Sequence, residues 1–240
     1  MIKQRNVSEI WRFNNFYNLG DSLMKVCYWN CNGAFRNKYK EIIKEKADLY
    51  IVSEVEDISK LSFLNGFKQK LYRKIRGDQK GILFFTFSDD EILPLENNNY
   101  GIRYIIPVLF RGYKILGVWM KGGYIEDLYT YSAINIKMIE NSIIIGDFNS
   151  NAIWDNKHGD RNHTRFDFMM KQIGLRSVYH YQESEKLGDE TQATFYMYRK
   201  NDKAYHIDYA YAPESYDCKM KISDQKVIEY SDHMILTLTI

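Results

Sequence analysis

Cysteine and proline are scarce, three of each in 240 residues. The cysteines, Cys27, Cys31 and Cys218, are odd in number and lack a repeated close spacing. That excludes a disulfide-stapled scaffold and supplies no thiolate set for zinc; reduced thiols in a cytoplasmic protein are expected. Net charge of one sign is missing too: 33 basic and 31 acidic residues leave +2. A broad cationic face is therefore excluded, while a local grip on a polyanion is not. No apolar run approaches a membrane span, and the N-terminal stretch has no apolar core followed by a small-residue cleavage site. No amphipathic loop suits membrane docking either. Neither a membrane nor a protein partner is expected. No linker, internal repeat or low-complexity tract divides the chain.

What is present is an ordinary globular composition, 45% apolar and 27% charged, long enough to bury a sizeable core. Twenty tyrosines and thirteen phenylalanines are expected mostly at core or half-buried sheet positions. Residues 1–23 are read as an appendage whose order the sequence does not specify, and 24–240 as one domain. "MKVCYWN" (24 to 30) reads as a strand, residues 35 to 47 as a helix, and "DLYIVSEVE" (48 to 56) as a strand covered on both faces. Together they form a crossover unit. The basic run "KQKLYRKIR" (68 to 76) reads as an exposed helix face, with contact to phosphates as the alternative. Strands follow at "GILFFTF", "IRYIIPVLF" and "YKILGVWMK", the last two joined by a hairpin at Arg111-Gly112, with Pro107 marking an edge or a bulge. A helix from Tyr124 to about Glu140 leads into "SIIIGDF", and a shorter helix in "HTRFDFMMKQIG" ends on Gly174. Late strands are expected around "ATFYMYR", "YHIDYAYA" and "HMILTLTI".

Five apolar strands end or pause at a carboxylate, amide or imidazole: Asn30 with Asn32, Glu54, Asp147 with Asn149, His206 with Asp208, and Asp232 with His233. Sites in α/β sheets gather outside strand ends. Asp147 and Asn149, like His206 and Asp208, share a face if their backbone is extended. Each member also has a plain structural reading. Glu54 fits a solvated strand terminus, Asp147 an Asx turn, His206 a packed strand histidine and Asp232-His233 a turn. Asp208, inside an apolar strand, needs a partner because an unpaired buried carboxylate is costly. Oxygen donors with few thiols suit a hard cation, Mg²⁺ or alternatively Mn²⁺. His158 and His163, five apart in a polar loop, do not make a zinc signature.

In order, "YWNCNG", "IVSEVE", "IIIGDFNS", "HIDYAY" and "SDH" resemble the motifs of the endonuclease/exonuclease/phosphatase superfamily from about Lys25 to the C-terminus. The resemblance implies a four-layer αββα sandwich with two mixed β-sheets, DNase I-like, and a site at one end of them. It implies Glu54 as principal metal ligand, with Asn32 and Asp232 in the metal network. Asp147 would orient or deprotonate the attacking water, and Asn149 would touch that water or the phosphate. Asn30 and His233 would hold the phosphate, His233 oriented by Asp208, with His206 beside that pair. Several nucleases of the family carry His or Tyr on the central strand, where this chain has Trp119 and Lys121; Lys121 would supply positive charge to the phosphate.

The function so implied is Mg²⁺-dependent phosphodiester hydrolysis by a nuclease, endo- or exonucleolytic, acting on DNA. Alternatives are hydrolysis of a small or lipid-headgroup phosphoester, and a non-enzymatic binding role on the same scaffold. Trp154, just past the "GDFNSN" stretch, reads either as a substrate-facing ring or as a lid over the core.

Overall fold

The computed structural model describes residues 23 to 240. The appendage expected over 1–23 lies, but for Leu23, outside the described residues. In chain order, β1 to β4 are Lys25–Asn30, Leu49–Glu56, Gln69–Lys74 and Lys80–Thr86. Strands β5 to β9 are Leu93–Pro94, Ile105–Phe110, Tyr113–Trp119, Ser142–Asp147 and Leu175–Ser177. Strands β10 to β14 are Phe195–Tyr196, Ala204–Tyr205, Asp208–Pro213, Lys219–Ile222 and Leu236–Thr239. Helices α1 to α5 span Tyr39–Ile43, Tyr124–Ile134, Ile136–Ile139, His163–Gln172 and Val178–Glu183.

Two six-stranded sheets result, ordered β13-β14-β1-β2-β4-β3 and β5-β6-β7-β8-β12-β9, with β10 and β11 as a separate ribbon. Both large sheets are mixed: β1–β2 and β7–β8 run parallel, and the other pairs antiparallel. Successive residues of a strand point to opposite faces, and here both faces are covered. Along β1, Val26 and Tyr28 enter the core between the sheets, while Cys27 and Trp29 enter an outer core with Phe35 and Ile42. Along β8, Ile143 and Ile145 face the inter-sheet core, while Ile144 faces Ile125, Leu128 and Phe166 of the helices behind it. This double burial explains why the strands read as unbroken apolar runs. The layers form the αββα sandwich that the resemblance implies. Among the described residues, no helix is long and apolar enough to cross a membrane.

Some elements depart from expectation. The run 68–76 is not a helix; its first part is β3, an edge strand paired with β4, with Leu71 opposite Phe84 and half-buried against the inter-sheet core. Sheet pairing overrides local helix preference there. The helix expected over 35–47 breaks at Lys38 (φ −125°) because the carboxylate of Glu56, on β2, accepts from the Phe35 and Arg36 N–H groups. The 124–140 helix breaks at Asn135, whose amide turns to the carbonyls of Asn98 and Tyr131. "ATFYMYR" holds only a two-residue strand, because Tyr198 and Arg199 adopt left-handed backbone. The Arg199 guanidinium pins that turn to the carbonyls of Glu229 and Tyr230. Pro107 sits next to the sheet edge, its carbonyl accepting from Leu95 just beyond the two-residue β5.

Close approach of the sheets depends on Gly117 of β7. A Cβ there would lie 2.5 Å from Phe84 Cζ and 2.9 Å from Ile51 Cγ2, both in the facing sheet. We expect Gly117→Ala to cost about 1–3 kcal/mol through overpacking. Urea unfolding reads this as a lower midpoint at unchanged slope; an unaltered midpoint would show that the interface yields freely.

Candidate active site

The polar strand ends meet at one end of the sandwich. Asp147 closes β8 and stands in register with Asp208, which opens β12, and with Trp119 at the end of β7. Gly146 precedes Asp147 because a Cβ at that position would run into the Val118 carbonyl. The Asp147 carboxylate is fully buried and accepts from the Asn149 backbone N–H (2.8 Å), the Asn149 amide (3.2 Å) and the Asn30 amide (2.9 Å). The Asn30 amide also donates to Glu54 Oε1 at 3.2 Å. It thereby joins a carboxylate of its own sheet to one of the facing sheet. Glu54 reaches this position through an irregularity in the β2–β4 register, where its backbone turns left-handed (φ 61°). A non-glycine residue held in that region costs energy that surrounding contacts must offset.

His233, just before β14, is buried, and its Nδ1–H donates to both oxygens of Asp208 at 3.0 and 3.1 Å. Its Nε2 faces Asp147 Oδ2 at 3.9 Å. Burial opposes a charged ring, but the carboxylates of Asp208 and Asp147 outweigh it and hold the imidazole well above its usual range. Burial, reinforced by Asp208, pushes Asp147 above the usual carboxylate range, against the pull of His233 and the donating amides. Asp147, Asp208 and His233 bring donor atoms within 4.8 Å of one another, a set able to hold a divalent cation.

Four supports lie outside the residues singled out from the sequence. Thr194 Oγ1 accepts from the backbone N–H of Ile207 and of Asp208, both at 2.9 Å. Ser231 donates to the Asn30 carbonyl and accepts from the His233 N–H. The Phe195 ring packs on His233 at 4.6 Å. Lys80, at the start of β4, places its ammonium 2.5 Å from Glu54 Oε2. Only the serine had a signal, its place in "SDH".

The remaining expected residues stand nearby with different engagements. Asn32 is exposed and left-handed (φ 51°), and Gly33 beside it lies against the end of the Lys80 side chain. Asp232 is half-buried, and its carbonyl accepts from Tyr196. Lys121 is tied to Asp78 at 2.5 Å and lies over the Trp119 ring. His206 makes no hydrogen bond to Asp208 or His233. Its Nδ1 bonds the Gln192 carbonyl and its ring packs among Tyr179, His180 and Tyr209, so it belongs to a cluster behind the site.

Solved structures share this architecture. A 3'-5' exonuclease (NExo) from Neisseria meningitidis superposes with a TM-score of 0.70 at 15% identity, covering 90% of this chain and 98% of that one. The chain has the endonuclease/exonuclease/phosphatase fold. An AP endonuclease from Archaeoglobus fulgidus gives 0.64 at 18% identity, with coverage of 90% and 98%. The endonuclease domain of TRAS1, a telomere-specific non-LTR retrotransposon, gives 0.63 at 16%, with coverage of 91% and 98%. No family model and no curated protein sequence matches the chain.

Behind the site, Asn151 of the "GDFNSN" turn donates to Glu190, the His206 carbonyl and the Tyr209 hydroxyl. Trp154 rests on Tyr205 at 5.1 Å. His163 is fully buried, its Nδ1 on Ser150 and its Nε2 without a partner, and burial drives its pKa from 6.5 down to about 3. The unfolded chain takes up this proton near pH 6.5 while the fold refuses it. The stability tied to the neutral ring is complete above pH 6.5 and is lost progressively as pH falls toward 3. We expect His163→Phe to unfold in urea with a shallower pH dependence between pH 6.5 and 4, by up to ~1.4 kcal/mol per pH unit. Parallel curves for the two proteins would show that His163 does not titrate on unfolding.

Proposed function

We propose that this chain hydrolyses phosphodiester bonds of nucleic acid, DNA in the first instance, with Mg²⁺ or Mn²⁺ bound at Glu54. One observation carries the reading: the Asn30 amide couples Glu54 to Asp147, and Asp147 faces an imidazolium that is held by Asp208. Glu54 fits a hard cation, since it offers carboxylate oxygens and one of them already draws the Lys80 ammonium. Asn32 and Asp232 are the neighbouring oxygen donors assigned to complete the set. The alternative trio of Asp147, Asp208 and His233 suits an ion less well, because both oxygens of Asp208 are engaged by a ring that favours its protonated form.

A bound divalent ion neutralises charge on the phosphate and makes water more acidic. The chain's residues supply the rest. Asp147, kept basic enough by burial to accept a proton, takes it from a water that Asn149 helps to orient. That water's oxygen bonds to phosphorus as the ester P–O bond breaks. His233 presents Nε2–H to a non-bridging oxygen, and Asp208 keeps the ring oriented and charged. Asn30 is assigned to positioning rather than to the phosphate, because both of its amide hydrogens are committed to carboxylates. Lys121 is committed to Asp78 and takes no assigned part. The similar structures from Neisseria, Archaeoglobus and TRAS1 are nucleases, which favours a nucleic acid over a small phosphoester.

With Mg²⁺ present, wild-type protein should nick plasmid, abasic duplex or single-stranded DNA. Asp147→Asn and His233→Ala, each folded by circular dichroism, should lose about 10³-fold in kcat, and Glu54→Ala should lose metal dependence. Phosphate release from an inositol phosphate, nucleotide or lipid headgroup without nucleic-acid cleavage would replace this reading with the small-phosphoester one. No turnover on any phosphoester would leave a binding role.

A further inference from the structure

The basic run 68–76 takes no part in the chemistry above, yet its placement is specific. Strand β3 is the outer edge of the first sheet, and β5 with β6 forms the same-side edge of the second. Between them lies a cleft of about 300 Å³ lined by Arg73, Lys74, Arg76 and Arg103. No acidic residue lines it. Arg73, Arg76 and Arg103 are exposed and have no carboxylate partner among the described residues; Lys74 has only a 3.9 Å approach to Asp57. Arg103 folds over the cleft by donating to the Arg76 carbonyl at 3.3 Å. Four cations around a cleft with no acidic lining, three of them without a carboxylate partner among the described residues, stand out in a chain of net charge +2.

The floor differs from the rim. It is apolar, built from the buried Ile75, Ile102, Ile105 and Pro107, and Asn97 and Asn99 also line the cleft. A cationic rim over an apolar floor matches a phosphate joined to a flat ring, and the volume suits one small ligand unit. A base seated on that floor is not paired within a duplex. The cleft also connects with the catalytic end: Ile75 N–H bonds the Lys80 carbonyl across the β3–β4 turn, and the Lys80 ammonium rests on Glu54. The same turn carries Asp78, whose charge is taken up by Lys121, and Arg76 stands on its cleft side.

We propose that the cleft between the sheet edges binds one nucleotide of a single-stranded nucleic acid, phosphates on Arg76 and Arg103 and base on the apolar floor. This deepens the nuclease reading by assigning a strand end or unpaired strand as preferred substrate. A cationic track that follows the backbone is a general means of holding single strands; here the base would rest on aliphatic side chains, since no aromatic ring lines the cleft.

The test is fluorescence anisotropy of a labelled 20-nucleotide strand in EDTA, where binding is read without turnover. Arg76→Ala/Arg103→Ala should weaken binding about tenfold and flatten the log–log salt slope by about 1.4, the share of two phosphate contacts. The control Lys186→Ala/Lys219→Ala removes two exposed charges far from the cleft, Lys219 on the opposite edge strand β13 and Lys186 in the loop beside β9, and should bind as wild type. A duplex of the same sequence should lose less from the arginine variant. Equal losses in variant and control would reduce the effect to net charge and overturn the proposal, as would an equal loss on duplex or none on the strand. Failure of the nuclease reading is separate: wild type would then cleave nothing, whatever the arginines do to binding.

Discussion

Two fully buried carboxylates stand in register across neighbouring strands, and one imidazole lies against both. Asp147 and Asp208 have no access to water, and their mutual repulsion adds to the cost of burial. The pair is tolerable because His233 is held charged and because amide and backbone N–H groups converge on Asp147. Removing the imidazole leaves two uncompensated charges, so the site and the local fold share one electrostatic solution. Its supports follow from that need: Thr194 fixes the backbone entering Asp208, Ser231 fixes His233, and the Trp29 indole holds the His233 carbonyl at 3.0 Å.

From this buried pair the site grades outward. Asn30 passes the connection across the gap between the sheets to Glu54, which is partly exposed and meets a mobile-length lysine side chain instead of a buried histidine. In the proposed reaction the inner carboxylate takes the proton and the outer one holds the cation, and this gradient of burial is the reason for that assignment. Sheet packing sets their separation, since the facing sheets that carry them approach closely at Gly117, while Gly146 lets β8 lie close to β7 within its own sheet. The geometry at the mouth thus rests on packing some distance behind it.

Much of this was legible in the chain. Unbroken apolar strands announce layers on both faces, and a lone Asp in "YHIDYAYA" demands a partner. His233 is the partner the structure supplies. Lys80 could not be read, because only the β2–β4 register and its irregularity carry its ammonium to Glu54. The cleft arginines were hidden for the same reason: Arg76 and Arg103 meet only when the edges of two sheets align. The run 68–76 misleads locally, since lysine and arginine favour a helix until pairing with β4 decides otherwise. His206 misleads by its spacing from Asp208. His206 lies in the gap between β11 and β12, and its ring turns to the Gln192 carbonyl instead of joining Asp208 and His233.

The central claim is a division of labour, with a cation at Glu54 and an acid–base pair at Asp147 and His233. Anomalous diffraction from crystals soaked in Mn²⁺ tests it most directly. The account predicts a manganese peak in contact with the Glu54 carboxylate while His233 remains hydrogen-bonded to Asp208. A peak enclosed by Asp147, Asp208 and His233, with Glu54 left on Lys80, would contradict it.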